Sequence, residues 1–298
     1  MRVAVTGAGG RLGRALVAAL ADSPFTGLAG PLAWTRAELD LDDPEPVAAR
    51  LDAGAVEAVV HAAAWTDVDG CARDPDLAHR RNGDATGVLA RACAARGTDL
   101  VIVSTNEVFG GRRRDGRGYE PGDPVGPINS YGRSKLAGER AAVEAYATGA
   151  GSGVLAIVRT AWLYGPPGND FPAKIIAAAH RARAAGEPLK LVGDETGSPT
   201  YTVDLAEAIA ELLGSGEMGG TYHVVNAGAV SRAGWAREVL RRVNVVVRTE
   251  EVPAATWPRA STPPLWAVLE PSALPSAEPM RPWQQALADY VPFLVRGA

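Results

Sequence analysis

The chain has 298 residues, 47% hydrophobic and 21% charged, which suits a globular protein with a large core and excludes a disordered one. A formal net charge of −4 argues against a surface built for a nucleic-acid polymer. No apolar run is long enough for a transmembrane helix, so no membrane partner is expected.

Met1 leads straight into a short apolar run ended by glycines, without the pattern of a signal peptide. Cys71 and Cys93 form no disulfide framework and read as helical thiols. Both features point to the cytoplasm. The Arg112-Arg113-Arg114 run reads as a solvated loop.

In chain order, Arg2 to Thr6 reads as a buried strand, followed by a glycine turn and a helix over Arg11 to Leu20. Strands follow at Pro31 to Thr35 and Val56 to His61. A long helix spans Leu77 to Arg96, and a strand runs from Asp99 to Ser104. A Gly/Arg-rich loop reaches Pro127, then a helix from Ser130 to Tyr146 leads to a strand at Val154 to Arg159. Strands alternating with helices imply a doubly wound parallel sheet of Rossmann type, an α/β fold. After about residue 160 the pattern loosens: helices at Phe171 to Ala185 and Thr202 to Leu213, strands at Leu189 to Val192 and Thr221 to Asn226, then two closing helices. The proline-dense stretch 253–282 reads as an irregular surface loop. Residues 1–160 are therefore expected to bind a dinucleotide. Residues 161–298 are expected to form mainly a smaller substrate lobe, interleaved with the first.

The turn Thr6-Gly7-Ala8-Gly9-Gly10-Arg11-Leu12-Gly13 lies between a strand and a helix, with Gly7, Gly10 and Gly13 spaced for a dinucleotide-binding loop. Such glycines permit a tight turn, approach of backbone N–H groups to a pyrophosphate, and close helix–strand packing. Where NAD-specific folds place an acidic residue, the second strand ends in Trp34-Thr35-Arg36. A cation there suits a 2′-phosphate, so NADP(H) is favoured and NAD(H) is the alternative.

Tyr131 and Lys135 stand four residues apart on one helical face. The chain has only three lysines, its other cations being arginines, so chance pairs of this kind number about 0.07. An ammonium beside a phenol is expected to lower the phenol's pKa and make it a working acid–base group. Ser104 and Thr105 stand at the carboxyl end of a strand, where a hydroxyl is placed to polarise a carbonyl.

These elements together resemble the extended short-chain dehydrogenase/reductases. The blocks at His61 to Asp69, Ser104 to Gly110, Tyr131 to Glu139, Arg159 to Gly165, Asp194 to Thr200 and Asp204 to Ala206 are similar to those of the dTDP-4-dehydrorhamnose reductase family. The resemblance implies an oxidoreductase in which NADPH delivers hydride to C4 of a nucleotide-linked 4-keto-6-deoxy sugar and Tyr131 protonates the alkoxide. It gives Thr105 the carbonyl, and Asn106 and Trp162 contacts with the sugar nucleotide. Gly10, Arg11, Leu12, Asp40, Leu41, Ala63, Ala64 and Trp65 match cofactor-contacting positions. No metal is expected: some relatives bridge dimers through a metal held by a glutamate early in the first helix, and the matching residue here is Ala15. Monomer and homodimer both stay open. The chain departs from the family where Ser-Thr-Asp-Tyr-Val-Phe is usual and Ser104-Thr105-Asn106-Glu107-Val108-Phe109 stands, and near Arg259 to Leu269. The alternatives are a nucleotide-sugar epimerase or dehydratase on the same fold, and a non-catalytic NADP-binding regulatory subunit.

Overall fold

The computed structural model describes residues 1–296. Five strands, β1 (Val3–Thr6), β2 (Leu32–Trp34), β3 (Ala58–His61), β4 (Asp99–Thr105) and β5 (Leu155–Thr160), join the edge strand Gly220–His223 in one six-stranded sheet. Every pairing in it is parallel, and the order runs from Gly220–His223 through β5, β4, β3 and β1 to β2. The helices are α1 (Arg11–Ala21), α2 (Val47–Gly54), α3 (Val68–Arg73), α4 (Pro75–Ala78), α5 (Ala85–Arg96), α6 (Ser130–Thr148), α7 (Phe171–Ala185), α8 (Thr202–Gly214), α9 (Arg232–Arg242) and α10 (Trp283–Arg296).

Strand side chains alternate between the two faces, and both faces are buried. Val3, Val5, Val60, Val101 and Val158 pack with Leu12, Leu16 and Leu20 of α1 and Leu205, Ile209 and Leu212 of α8. Ala4, Val59, Leu100 and Ile102 face the other way, onto Leu51 of α2, Leu89 and Cys93 of α5, and Ala142 of α6. The doubly wound expectation therefore holds. The later half contributes two further cores, one built on Tyr164, Tyr201, Trp235, Trp283 and Tyr290, the other on Leu189, Leu191, Ala236 and Leu240.

Three features differ from the sequence reading. The long helix from Leu77 is interrupted: α4 gives way to a wide π turn over His79–Asp84 before α5 begins. Residues 202–223 return to the first lobe, since α8 packs on α1 and Gly220–His223 extends the central sheet beside β5. The proline-dense stretch is irregular but not simply superficial. Ser261, Ala267, Val268 and Leu269 are buried, and Trp266–Ala267 pairs with Thr196–Gly197. Proline spacing reports missing backbone donors, not depth.

The first turn depends on a glycine. A Cβ at Gly13 would fall 2.1 Å from the Gly7 carbonyl oxygen, so only hydrogen allows α1 to approach the end of β1 so closely. Gly13→Ala is expected to lose about 1–3 kcal/mol, read from the denaturation midpoint. Gly9→Ala, which meets no atom within 4 Å, should stay within about 0.5 kcal/mol of the parent.

Candidate active site

A cleft of about 750 Å³ runs along the carboxyl ends of the strands, on both sides of the point where strand order reverses between β1 and β3. It gathers residues far apart in sequence. Gly7, Gly10, Arg11, Leu12, Gly13, Arg36, Leu41, Ala63, Ala64 and Trp65 line it, as do Thr105, Asn106, Tyr131, Lys135 and Trp162. Asp40 does not. Its carboxylate takes a hydrogen bond from the Asp42 backbone N–H at 3.0 Å and faces Arg36 Nε at 3.3 Å.

At the β1 end, α1 starts at Gly10 without a side-chain cap and without an acidic residue in its first turn. Its leading N–H groups and partial positive charge are thus left for an anion in the cleft. Arg11 donates from Nη2 to the Gly168 carbonyl at 2.8 Å, while its buried Nε has no partner. These features fit a dinucleotide pyrophosphate. Further out, Arg36 is 72% exposed and pairs with Asp42 at 3.0 Å. Arg81 grips the same carboxylate through Nε and Nη2, both at 2.6 Å, and its guanidinium lies 5.3 Å over the Trp65 ring. One carboxylate thus gathers two guanidinium groups at the cleft margin.

In the middle of the cleft, α6 carries Tyr131 and Lys135. Asn129 caps this helix by accepting from the Gly132 N–H at 2.8 Å. Gly132 is needed because a Cβ there would lie 2.1 Å from the Glu107 carbonyl oxygen. Lys135 is 3% exposed, and burial pushes its ammonium down to about 8, opposed by the Glu139 carboxylate one turn on. Tyr131 behaves differently from expectation. Burial raises its phenol above the ordinary value, the Glu107 carboxylate and Cys71 thiol add to the rise, and Thr105 hydrogen bonding alone opposes it. The shift favours the neutral phenol, the opposite of the lowering expected from a nearby ammonium. Thr105 Oγ1 accepts from the Glu107 N–H and donates to Asn106 Oδ1, both at 3.2 Å, a long bond that a substrate carbonyl can replace.

At the far end, Trp162 sits at φ 44°, a left-handed conformation that costs a bulky residue about 1–3 kcal/mol. Its ring is held by Gly197, where a Cβ would lie 2.5 Å away, and by the Arg232 guanidinium stacked 3.6 Å from the ring centroid. Asn106 is buried and donates from Nδ2 to the Ala267 carbonyl at 3.1 Å. Glu107 and Arg232 also line the cleft.

A family profile described as RmlD substrate binding domain matches residues 1–295, nearly the full chain. The chain belongs to this family. It is 37% identical to a dTDP-4-dehydrorhamnose reductase of Mycolicibacterium smegmatis, over 99% of this chain and 86% of that protein. Its identity to the dTDP-4-dehydrorhamnose reductase of Mycobacterium tuberculosis is 39%, over 96% and 91%. Among solved structures, the Bacillus anthracis dTDP-4-dehydrorhamnose reductase in complex with NADP superimposes with a TM-score of 0.85 at 31% identity, covering 97% of this chain and 98% of that one. As a member of the RmlD family, the protein is an NAD(P)-dependent oxidoreductase of extended short-chain dehydrogenase/reductase fold. No helix among the described residues is long and apolar enough to cross a membrane.

Several residues that hold this RmlD-family site together were not singled out from sequence. Asn82 accepts from the Trp65 N–H at 2.8 Å and donates to the Trp65 carbonyl at 3.0 Å and to Ser134 Oγ at 3.1 Å, tying the cofactor-side loop to α6. Asn82 and Arg81 both stand on the π turn, whose extra residue re-aims side chains and leaves no mark in apolar periodicity. Glu139 accepts from Ser104 Oγ at 2.5 Å and pairs with Arg159 at 2.7 Å, fully inside the protein. Glu139→Ala would leave Arg159 as an uncompensated buried charge. A loss of about 3–5 kcal/mol in denaturant unfolding is expected.

Proposed function

We propose that this protein reduces the C4 carbonyl of a nucleotide-linked 4-keto-6-deoxyhexose with NADPH, and that dTDP-4-dehydrorhamnose, converted to dTDP-L-rhamnose, is its substrate. The reading is carried by one observation: the Tyr131 phenol, Lys135 and the Thr105 hydroxyl line a single cleft that Arg36 and Arg81 also line. NADP in the complex of the Bacillus anthracis relative and the names of the mycobacterial relatives support it.

NADPH, when bound, supplies the hydride. Gly10, Arg11, Leu12 and the N-terminus of α1 would hold its pyrophosphate, Ala63 to Trp65 would flank it, and Arg36 with Arg81 would take the 2′-phosphate. Thr105 Oγ1 donates to the ketone oxygen, stabilising the charge that develops there. Tyr131 gives its phenolic proton to that oxygen as the alcohol forms. Lys135 lines the same cleft one helical turn on, and its ammonium would offset the charge left on the phenol oxygen until a proton returns. Trp162 would supply an apolar face to the sugar nucleotide.

Mixing the protein with dTDP-4-dehydrorhamnose should give steady loss of reduced-nicotinamide absorbance with NADPH as a consumed reactant. An epimerase would turn over without consuming it. Tyr131→Phe removes the acid and should lower kcat at least about 100-fold with NADPH affinity unchanged. Arg36→Ala and Arg81→Ala should each raise KM for NADPH about tenfold while leaving NADH within about twofold, since each removes a charge-assisted contact that only the 2′-phosphate makes.

A further inference from the structure

Beside Tyr131 stands a carboxylate that the hydride chemistry does not use. Glu107 lines the cleft, and its backbone carbonyl abuts Gly132, the residue after Tyr131. Its Oε2 accepts from Asn129 Nδ2 at 2.6 Å. That amide cannot turn away, because its Oδ1 caps α6 through the Gly132 N–H and its Nδ2 also donates to the Thr262 carbonyl at 3.1 Å. Among the described residues, no hydrogen bond reaches Oε1 and no cation lies within 4 Å of the carboxylate. The nearby guanidinium groups are engaged elsewhere. Arg232 faces Glu195 at 3.4 Å, and Arg259 faces Glu195 at 3.8 Å and Asp69 at 3.7 Å.

Burial pushes the Glu107 carboxyl up, with Asn129, Arg259 and Arg232 opposing and Glu195 adding to the rise. Glu107 is half-buried at the cleft wall, and a ligand donor that reaches its unpaired oxygen adds a charge-assisted hydrogen bond. Asn106 is not placed to do the same work: its amide nitrogen is given to Ala267 and its amide oxygen to Thr105. The free carboxylate oxygen on this stretch of the cleft therefore belongs to Glu107.

We propose that Glu107 is the specificity-determining residue of the sugar subsite: its free Oε1 accepts a hydrogen bond from the hexose hydroxyl adjacent to the carbonyl being reduced. In a 4-keto-6-deoxyhexose the carbonyl is flanked by C3, which bears a hydroxyl, and by C5, which bears a methyl. Only the C3 side can donate to a carboxylate. The protein therefore takes nucleotide-linked 4-ketosugars that keep the C3 hydroxyl and discriminates against 3-deoxy ones. This inference rests on the nucleotide-ketosugar reading above.

Calorimetric titration of the NADP-saturated protein with dTDP, with dTDP-L-rhamnose and with its 3-deoxy analogue tests it. Glu107→Ala should weaken dTDP-L-rhamnose about 10- to 100-fold and leave dTDP within about twofold. The 3-deoxy analogue should bind parent and variant alike. Glu107→Gln should fail to restore affinity, because Asn129 claims its single oxygen and turns the amide nitrogen, a donor, toward the cleft. Unchanged dTDP-L-rhamnose affinity in Glu107→Ala, at an unaltered thermal midpoint, overturns the inference alone. Equal loss of dTDP and dTDP-L-rhamnose also overturns it, since Glu107 would then only support the subsite. If the parent protein binds dTDP but gains nothing from the sugar, the substrate reading falls and this inference with it.

Discussion

The Lys135 ammonium lies almost wholly inside the protein, beneath the cleft floor, where a charged nitrogen is poorly solvated. Much of the surrounding architecture limits that cost. Glu139 stands one helical turn away as a counter-charge, and it is itself fixed by Arg159 and the Ser104 hydroxyl on neighbouring strands. The same contacts bind α6 to β4 and β5, so the charge that tunes Lys135 also sets the depth of the catalytic helix. Asn129 at the helix start and Asn82 against Ser134 fix its remaining freedom. Tyr131 and Lys135 therefore face the cleft from a scaffold pinned at three levels.

This arrangement gives the two groups opposite tendencies. Burial drives Lys135 toward neutrality and Tyr131 toward protonation, because in each case the low dielectric disfavours the charged form. A phenol held neutral keeps its O–H as a hydrogen-bond donor toward the cleft.

At the Trp162 end of the cleft the logic changes from charge to shape. Trp162 is strained, yet a glycine beneath it and a stacked guanidinium above leave it no other position. The proline-dense stretch closes this end through Ser261, which donates from its backbone and hydroxyl to Asp69, and through Ala267, which receives Asn106. Asn106 thus meets a segment more than 150 residues later in the chain, and Asn129 bridges Glu107 to the Thr262 carbonyl of the same segment.

The amino-acid sequence alone determined the alternation of strands and helices, the glycine turn and the Tyr131–Lys135 pair, because each is a local pattern of period, turn chemistry or helical spacing. Placement of Thr105 followed from the same logic, since ligands gather at the carboxyl ends of parallel strands. The long helix after Leu77 was legible, but its π turn was not, so Arg81 and Asn82 went unnoticed: one inserted residue re-aims side chains without altering composition. Only the tertiary structure decided that Gly220–His223 completes the first sheet, that Asp40 turns to Arg36, that the Tyr131 phenol is raised and that Glu107 keeps one oxygen free. Those outcomes depend on desolvation and on partners far away in the chain, and neither quantity exists until the chain has folded.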